Sequence, residues 1–265
     1  MKILITGAHG FVCNRLMQDL DDTVAAPSMR GMSEEQIRNM IEKSRADVII
    51  HTAAISDVGT CEKDPGASYE ANVRLPLFLA KAAKEQKLIC FSSDQVYRGC
   101  AGEGPYKEED ASPCNVYGRH KLEMEQRVLD VKPDAVMLRA EWMYDYPTKR
   151  SNYLRMLLNE KQVLTFGKQY RGITYLREVA ENMPKIFMLP GGVYNFGSET
   201  KQTMYDITCE MLHFLKSDRK PEEVPPAHNL WMDCTKAKER GILFSDAKEG
   251  LKRCLKDYHL AKDRE

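Results

Sequence analysis

The chain has 265 residues, and its 39 Lys and Arg balance 39 Asp and Glu, so the formal net charge is zero. This length predicts one large domain or two small ones with a buried core. The balanced charge argues against a nucleic-acid-binding protein. No apolar run reaches the ~20 residues that cross a bilayer, and the N-terminus lacks the apolar core of a secretory signal. We therefore expect a cytoplasmic protein that does not bind membranes.

The eight cysteines are scattered along the chain and include no C-x-x-C pair. The six histidines are no better grouped. A zinc site needs clustered ligands, so we predict no metal site. We expect free thiols that are mostly buried, as is common for cysteine in a reducing compartment.

Short apolar runs alternate with amphipathic segments along the first half of the chain. The predicted strands cover residues 1–6, 23–26, 47–51, 88–92 and 135–139. The predicted helices cover residues 11–20, 34–44, 67–85 and 115–130. Strands that are apolar on both faces and alternate with helices predict an α/β fold with a doubly wound parallel sheet.

After about residue 145 the alternation of predicted strands and helices becomes less regular. Helices are predicted over 152–159 and 204–215, a strand over 191–195, and a Pro-rich loop over 221–226. We predict that residues 1–148 form a nucleotide-binding domain, with a return strand near 172–197. Residues 149–265 then mainly form a small substrate-binding lobe.

A glycine turn joins the first predicted strand to the first helix. Gly7 permits a tight turn, and Gly10 removes a side chain that would block a phosphate. Such a turn presents backbone amides and the positive end of a helix to a pyrophosphate. The alternative is a plain strand-to-helix turn, because motifs of this kind also arise by chance.

Tyr117 and Lys121 are spaced so that they share one face of a predicted helix. A nearby ammonium favours the phenolate and suits the tyrosine to proton transfer. Ser93 follows a predicted strand, at the sheet edge where ligands bind. The three residues would form a Ser-Tyr-Lys set, although a Tyr-x-x-x-Lys pair also occurs by chance on exposed helices.

In combination, these motifs resemble the extended short-chain dehydrogenases/reductases, and among them the dTDP-4-dehydrorhamnose reductase (RmlD-like) family. The similarity covers nearly the whole chain, although Cys13 replaces the third glycine of the turn. The motifs that carry it lie at residues 3–10, 51–58, 72–73, 92–97, 113–118 with 121, 138–142, 169, 174–175 and 230–236.

The resemblance implies a Rossmann fold that binds NAD(P), with a small C-terminal substrate lobe. It also implies an NADP(H)-dependent reductase of a nucleotide-linked 4-keto-6-deoxysugar, as in dTDP-rhamnose biosynthesis. Ser93 would orient the substrate carbonyl and Tyr117 would donate the proton. Lys121 would hold the cofactor ribose and activate the tyrosine.

Two sets of binding residues are predicted, most of them from the resemblance, with Arg30 and Arg171 added for their positive charge. The predicted cofactor-binding residues are Gly7, His9, Gly10, Phe11, Val12, Arg30, Ala53, Ala54, Tyr117 and Lys121. The predicted substrate-binding residues are Ser93, Asp94, Gln95, Trp142 and Arg171. The alternative for Trp142 is an aromatic side chain packed in the core, with no contact to the substrate.

Two departures from the family pattern affect the substrate side. The family's Asp-Gln-x-Gly-x-Pro-Thr reads Lys-Gln-Tyr-Arg-Gly-Ile-Thr at 168–174, which adds Lys168 and Arg171. These bases either face a diphosphate or are solvated. The related dehydratases carry Asp-Glu where this chain has Asp94 and Gln95. Since an amide cannot serve as the second acid/base, dehydration is disfavoured.

The end of the second predicted strand bears on the choice of cofactor. An NAD site usually has an acid there for the ribose hydroxyls. Here residues 26–30 contain no carboxylate, and Ser28 with Arg30 could hold a 2′-phosphate. We therefore predict that NADP(H) is preferred, with NAD(H) also possible; Arg30 as an ordinary loop arginine is the alternative.

Two other functions remain open at this point. One is a sugar-nucleotide epimerase of the same superfamily, which would use the same three residues. The other is a non-catalytic NADP(H)-binding regulatory subunit. Extended reductases often form homodimers, so a homodimer is also left open.

Overall fold

A parallel β-sheet forms the centre of the computed structural model, which describes residues 1–8, 10–147 and 151–260. The strands are β1 Ile3–Thr6, β2 Thr23–Ala25, β3 Val48–His51, β4 Lys87–Ser93, β5 Val136–Ala140, β6 Trp142–Tyr144, β7 Thr165–Phe166, β8 Ile173–Tyr175, β9 Gly192–Phe196 and β10 Glu222–Glu223. The helices are α1 Phe11–Asp19, α2 Glu34–Ser44, α3 Val58–Lys63, α4 Pro65–Tyr69, α5 Leu75–Ala82, α6 Val116–Val131, α7 Tyr153–Leu158, α8 Leu176–Ile186, α9 Met204–Phe214, α10 Thr235–Lys238 and α11 Ala247–Asp257.

The main sheet has the strand order β2-β1-β3-β4-β5-β9, and each neighbouring pair is parallel. The strands predicted in the first half are β1 to β5, and the strand predicted over 191–195 is β9. The doubly wound α/β fold is therefore confirmed. The order reverses between β1 and β3, and ligands bind at such a point in sheets of this kind.

Alternate residues of the strands build two separate cores, because successive side chains point to opposite faces of a sheet. On one face, Ile5 and Ile50 pack in a cluster with Leu16 of α1 and Met183 of α8. On the other face, the strands pack against α2, α5 and α6. Burial on both faces explains why the strand sequences are continuously apolar.

The helix predicted over 67–85 is present, but it is not one regular α-helix. The segment contains α4, a π-helical turn over Glu70–Arg74, and α5. Pro76 has no N–H to donate to the carbonyl four residues earlier. Directly before it, the Leu75 N–H donates to the carbonyl of Glu70, five residues earlier, and this spacing widens the helix.

The second half of the chain adds a small lobe at the carboxyl edge of the sheet. Here β6 pairs with β8, and α7, α9 and α11 pack around them in a separate core. The stretch 221–226 that was predicted as a loop includes β10, which pairs with β7. The chain returns to the main sheet through α8 and β9.

All eight cysteines are free, and Cys13, Cys61, Cys90, Cys100, Cys234 and Cys254 are buried, as predicted. Within the described ranges, no His, Cys, Asp and Glu side chains group into a metal site. In the same ranges, no helix has both the length and the apolar character needed to span a membrane.

Candidate active site

A cleft of about 670 Å³ opens at the carboxyl ends of the strands, where the strand order reverses. It runs from the glycine turn after β1, past the end of β4, to the small lobe. All the predicted site residues that the structure describes line it. These are Gly7, Gly10, Phe11, Val12, Arg30, Ala53, Ala54, Ser93, Asp94, Gln95, Tyr117, Lys121, Trp142 and Arg171. His9 lies outside the described residues.

The glycine turn packs closely against the segment that follows β3. Gly7 has a φ of +84°, and a Cβ there would lie 2.9 Å from the Ala53 backbone nitrogen. The Gly10 N–H donates to the Gly7 carbonyl at 2.7 Å, and α1 begins at the next residue. The first turn of α1 carries no acidic side chain. Its amides therefore face the cleft without a competing negative charge, which fits the phosphates of a dinucleotide.

Cys13 occupies the position where the family pattern has a third glycine. Its side chain is fully buried and packs with Ile3, Ile5 and Leu16 between α1 and the sheet. The thiol thus lies in the core beneath the glycine turn rather than in the cleft.

The segment that follows β2 contributes a base and no acid to the cleft. Pro27, Ser28, Met29 and Arg30 line it just after β2. The Arg30 side chain is exposed to solvent. A group that binds here meets a guanidinium and a hydroxyl, which suits a phosphate ester better than a pair of ribose hydroxyls.

Ser93 ends β4 and begins the tight turn over Asp94–Tyr97. Its Oγ accepts a hydrogen bond from the Gln95 N–H at 3.2 Å and donates to Asp94 Oδ1 at 3.1 Å. The hydroxyl is therefore fixed by its own turn at the edge of the cleft.

Helix α6 places Tyr117 beside this turn. Asn115 caps the helix by accepting from the Gly118 N–H at 2.7 Å, and its amide donates to Gln95 Oε1 at 3.0 Å. A Cβ on Gly118 would lie 2.4 Å from the Gln95 carbonyl oxygen, so only glycine allows this close approach. One cap residue thus joins the segment of Tyr117 to the segment of Ser93.

Lys121 lies one turn further along α6 and is almost fully buried. Its Nζ donates to the Phe91 carbonyl at 2.7 Å and lies 6.0 Å from the centroid of the Tyr117 ring. Burial lowers the pKa of Lys121 to about 8, while the Glu125 carboxylate raises it. Since an ammonium has three N–H donors, it can bind further oxygens beyond Phe91.

A buried ion pair fixes α6 to the sheet below this site. Arg139 of β5 contacts Glu125 of α6 at 2.7 Å, and both side chains are at most 3% exposed. Glu125 also accepts from the Ser92 hydroxyl, directly before Ser93. Arg139 donates to the Tyr97 hydroxyl at 2.7 Å. The network therefore connects the two segments that carry Ser93 and Lys121.

Arg171 and Lys168, the two bases that this chain adds to the family pattern, lie in different places. Arg171 lines the cleft, with its guanidinium 5.4 Å from the centroid of the Trp142 ring. Lys168 instead pairs with Glu223 at 3.1 Å on the surface and does not line the cleft. Trp142 lines the cleft and also packs edge-on against Tyr153. Its contact with a substrate stays a prediction.

Glu141 lines the cleft, although no role was predicted for it within the motif at 138–142. It is 6% exposed and accepts a hydrogen bond from Thr174 Oγ1 at 2.5 Å. Gly172 and Gly197 make room for its carboxyl group, since a Cβ on either would overlap it. Burial raises the pKa of Glu141 to about 8. A neutral carboxylic acid at neutral pH therefore lies beside Trp142.

The protonation of Glu141 predicts how stability depends on pH. Because its pKa is raised from 4.5 to about 8, the folded protein holds a proton that the unfolded chain loses in this window. The contribution of Glu141 to stability is thus complete below pH 4.5 and is lost as the pH rises towards 8. We expect Glu141→Gln to match wild type in urea unfolding at pH 5. At pH 8 it should be more stable by roughly 2–4 kcal/mol. An equal difference at both pH values would contradict this assignment.

Comparisons with known proteins identify the family. The family model described as the RmlD substrate binding domain matches residues 1–260. The chain belongs to the RmlD family. The resemblance that the sequence motifs indicated is therefore confirmed over nearly the whole chain.

Individual relatives of this RmlD-family chain differ in what their names describe. A dTDP-4-dehydrorhamnose reductase of Aggregatibacter actinomycetemcomitans is 28% identical over 243 residues, 84% of this chain and 82% of the relative. The methionine adenosyltransferase 2 subunit beta of Mus musculus is 27% identical over 278 residues, 91% of this chain and 83% of the relative. The relatives of this chain therefore include both named reductases and a named subunit of another enzyme.

The fold is shared with solved members of the family. A dTDP-4-dehydrorhamnose reductase of Bacillus anthracis, solved in complex with NADP, superposes with a TM-score of 0.86. The two chains are 22% identical, and the match covers 97% of this chain and 99% of the other. At this identity the similarity establishes the architecture.

Proposed function

We propose that this RmlD-family protein reduces the 4-keto group of a nucleotide-linked 4-keto-6-deoxysugar with NADPH. The observation that carries the proposal is the convergence of Ser93, Tyr117 and Lys121 on the cleft that also contains the glycine turn. The names of the reductase relatives and the NADP bound to the B. anthracis protein support the same substrate and cofactor.

Each residue of the Ser-Tyr-Lys set has a separate role in the reaction. NADPH, when bound, supplies the hydride for the carbonyl carbon. Ser93 donates a hydrogen bond to the carbonyl oxygen, and Tyr117 transfers its proton to that oxygen as the alcohol forms. Lys121 stabilises the phenolate that remains and binds the cofactor ribose through N–H groups not used by Phe91. A proton from solvent then restores the tyrosine.

The geometry also supports reduction over dehydration. Gln95 has an amide side chain, and its Oε1 accepts a hydrogen bond from the Asn115 side chain. It therefore positions α6 and has no ionisable proton to exchange with a sugar carbon.

Arg30 provides a prediction about the cofactor. If its guanidinium binds the 2′-phosphate, Arg30→Ala removes a charge-assisted contact that is partly screened by solvent. We expect the KM for NADPH to rise about tenfold while the KM for NADH stays the same. Arg38→Ala, on the exposed face of α2, is the matched control. A parallel rise for both cofactors would contradict a 2′-phosphate contact.

A turnover assay tests the proposed function against its rivals. Purified protein should oxidise NADPH when supplied with a dTDP-linked 4-keto-6-deoxysugar, and UDP- and GDP-linked analogues define the base preference. Interconversion of sugars without net NADPH consumption would point instead to an epimerase. Calorimetric binding of NADPH with no turnover of any keto sugar would point to a non-catalytic subunit.

A further inference from the structure

The hydroxyl of Ser93 has a competing partner in the cleft. Reduction requires Ser93 to donate its one proton to the sugar carbonyl. In the structure that proton goes to Asp94 Oδ1 at 3.1 Å. Asp94 is 2% exposed, so little water competes for its oxygens. A hydrogen bond to an ionised acceptor is stronger than one to a neutral carbonyl. An unbalanced carboxylate here would hold the hydroxyl away from the substrate.

Arg171, which belongs to the small lobe, pairs with that carboxylate and balances its negative charge. Its Nε and Nη2 lie 2.9 and 2.8 Å from the second oxygen, Asp94 Oδ2. In the described part of the chain, no other cation lies within ion-pair distance of Asp94. The guanidinium is held against the Trp142 ring and is 26% exposed. The pair therefore joins the catalytic edge of the sheet to the lobe that covers it.

We propose that Arg171 is a positioning residue that acts through Asp94 to release the Ser93 hydroxyl to the substrate carbonyl. This role rests on the proposed reductase function and extends it. Arginine replaces the glycine of the family pattern at this position. The ion pair with Asp94 is therefore a feature of this chain and not of the family motif. Arg171 thereby acts on the reacting oxygen through two hydrogen-bonded neighbours rather than by holding a diphosphate.

A double-mutant cycle tests the coupling. Arg171→Met should lower kcat about tenfold, because the bare carboxylate retains the Ser93 proton. The KM for the sugar nucleotide should change less than twofold. Arg171→Lys keeps the charge and should recover most of the lost kcat. Asp94→Asn removes the charge that competes for the Ser93 proton, so in that background the Arg171→Met substitution should cost less than threefold.

The controls separate this role from others. Arg177→Met removes an exposed arginine of α8 that pairs with Glu181 and Asp257, and it should leave kcat unchanged. A raised KM in Arg171→Met that persists in the Asp94→Asn background would assign Arg171 to direct substrate binding and overturn the proposal. Equal losses of kcat in both backgrounds would also overturn it. A wild-type protein with no turnover would instead refute the reductase function, and this role with it.

Discussion

Replacing Tyr117 with phenylalanine should lower kcat for sugar reduction by about 10²–10⁴-fold, the usual contribution of a positioned proton donor. The substitution removes only the hydroxyl, so the packing of the ring against Cys61 and Val116 is kept. Because the substitution leaves the proposed ribose contact of Lys121 in place, the affinity for NADPH should change only a few-fold. Stopped-flow or steady-state NADPH oxidation, together with calorimetric cofactor binding, measures both quantities.

The control for this experiment is Tyr205→Phe, a tyrosine of α9 outside the cleft. It should turn over at the wild-type rate. If Tyr117→Phe retained wild-type kcat, the proton would have to come from another group. Glu141, the neutral acid beside Trp142, would then be the first alternative to test.

The second large effect is expected on stability. Arg139→Met leaves the Glu125 carboxylate buried without its partner, and breaking one side of a buried pair costs about 3–5 kcal/mol. The loss should also free the Tyr97 hydroxyl from its arginine donor. Urea unfolding monitored by circular dichroism gives the free energy of unfolding of each variant.

A second substitution identifies the cause of that loss. The double variant Glu125→Met, Arg139→Met removes both charges and should recover a large part of the stability, because no buried charge remains unpaired. The exposed pair of Arg177 and Glu181 supplies the control, and Arg177→Met should cost less than about 1 kcal/mol. A double variant as unstable as Arg139→Met would show that the lost hydrogen bonds of Arg139 to Tyr97 and Glu108, rather than the unpaired Glu125 charge, cause the loss.

The fold could be predicted to a large extent because its signals are local. Strands such as β3 and β4 are short apolar runs bounded by polar residues, and the glycine turn directly follows β1. The helix predicted over 67–85 contains a π-helical turn that the apolar pattern does not indicate. The missing N–H of Pro76 decided the outcome there, because it changed the backbone hydrogen bonds without interrupting the pattern.

The candidate site was predictable only where its residues belong to short motifs. Tyr117 and Lys121 are one helical turn apart, and Ser93 ends a predicted strand. The contact between Asp94 and Arg171 joins residues 77 positions apart, and the burial of Glu141 depends on Thr174 from another strand. Such pairs arise from the packing of the lobe onto the sheet, for which a single sequence contains no local signal.

The most direct test of the central claim follows the hydride itself. The protein is supplied with NADPH carrying deuterium at both positions of nicotinamide C4, together with the dTDP-linked 4-keto-6-deoxysugar. A reductase is expected to form a product that contains one deuterium bound to sugar C4, in equal amount to the NADP⁺ produced. A product without deuterium, or binding of both ligands without any product, would contradict the account.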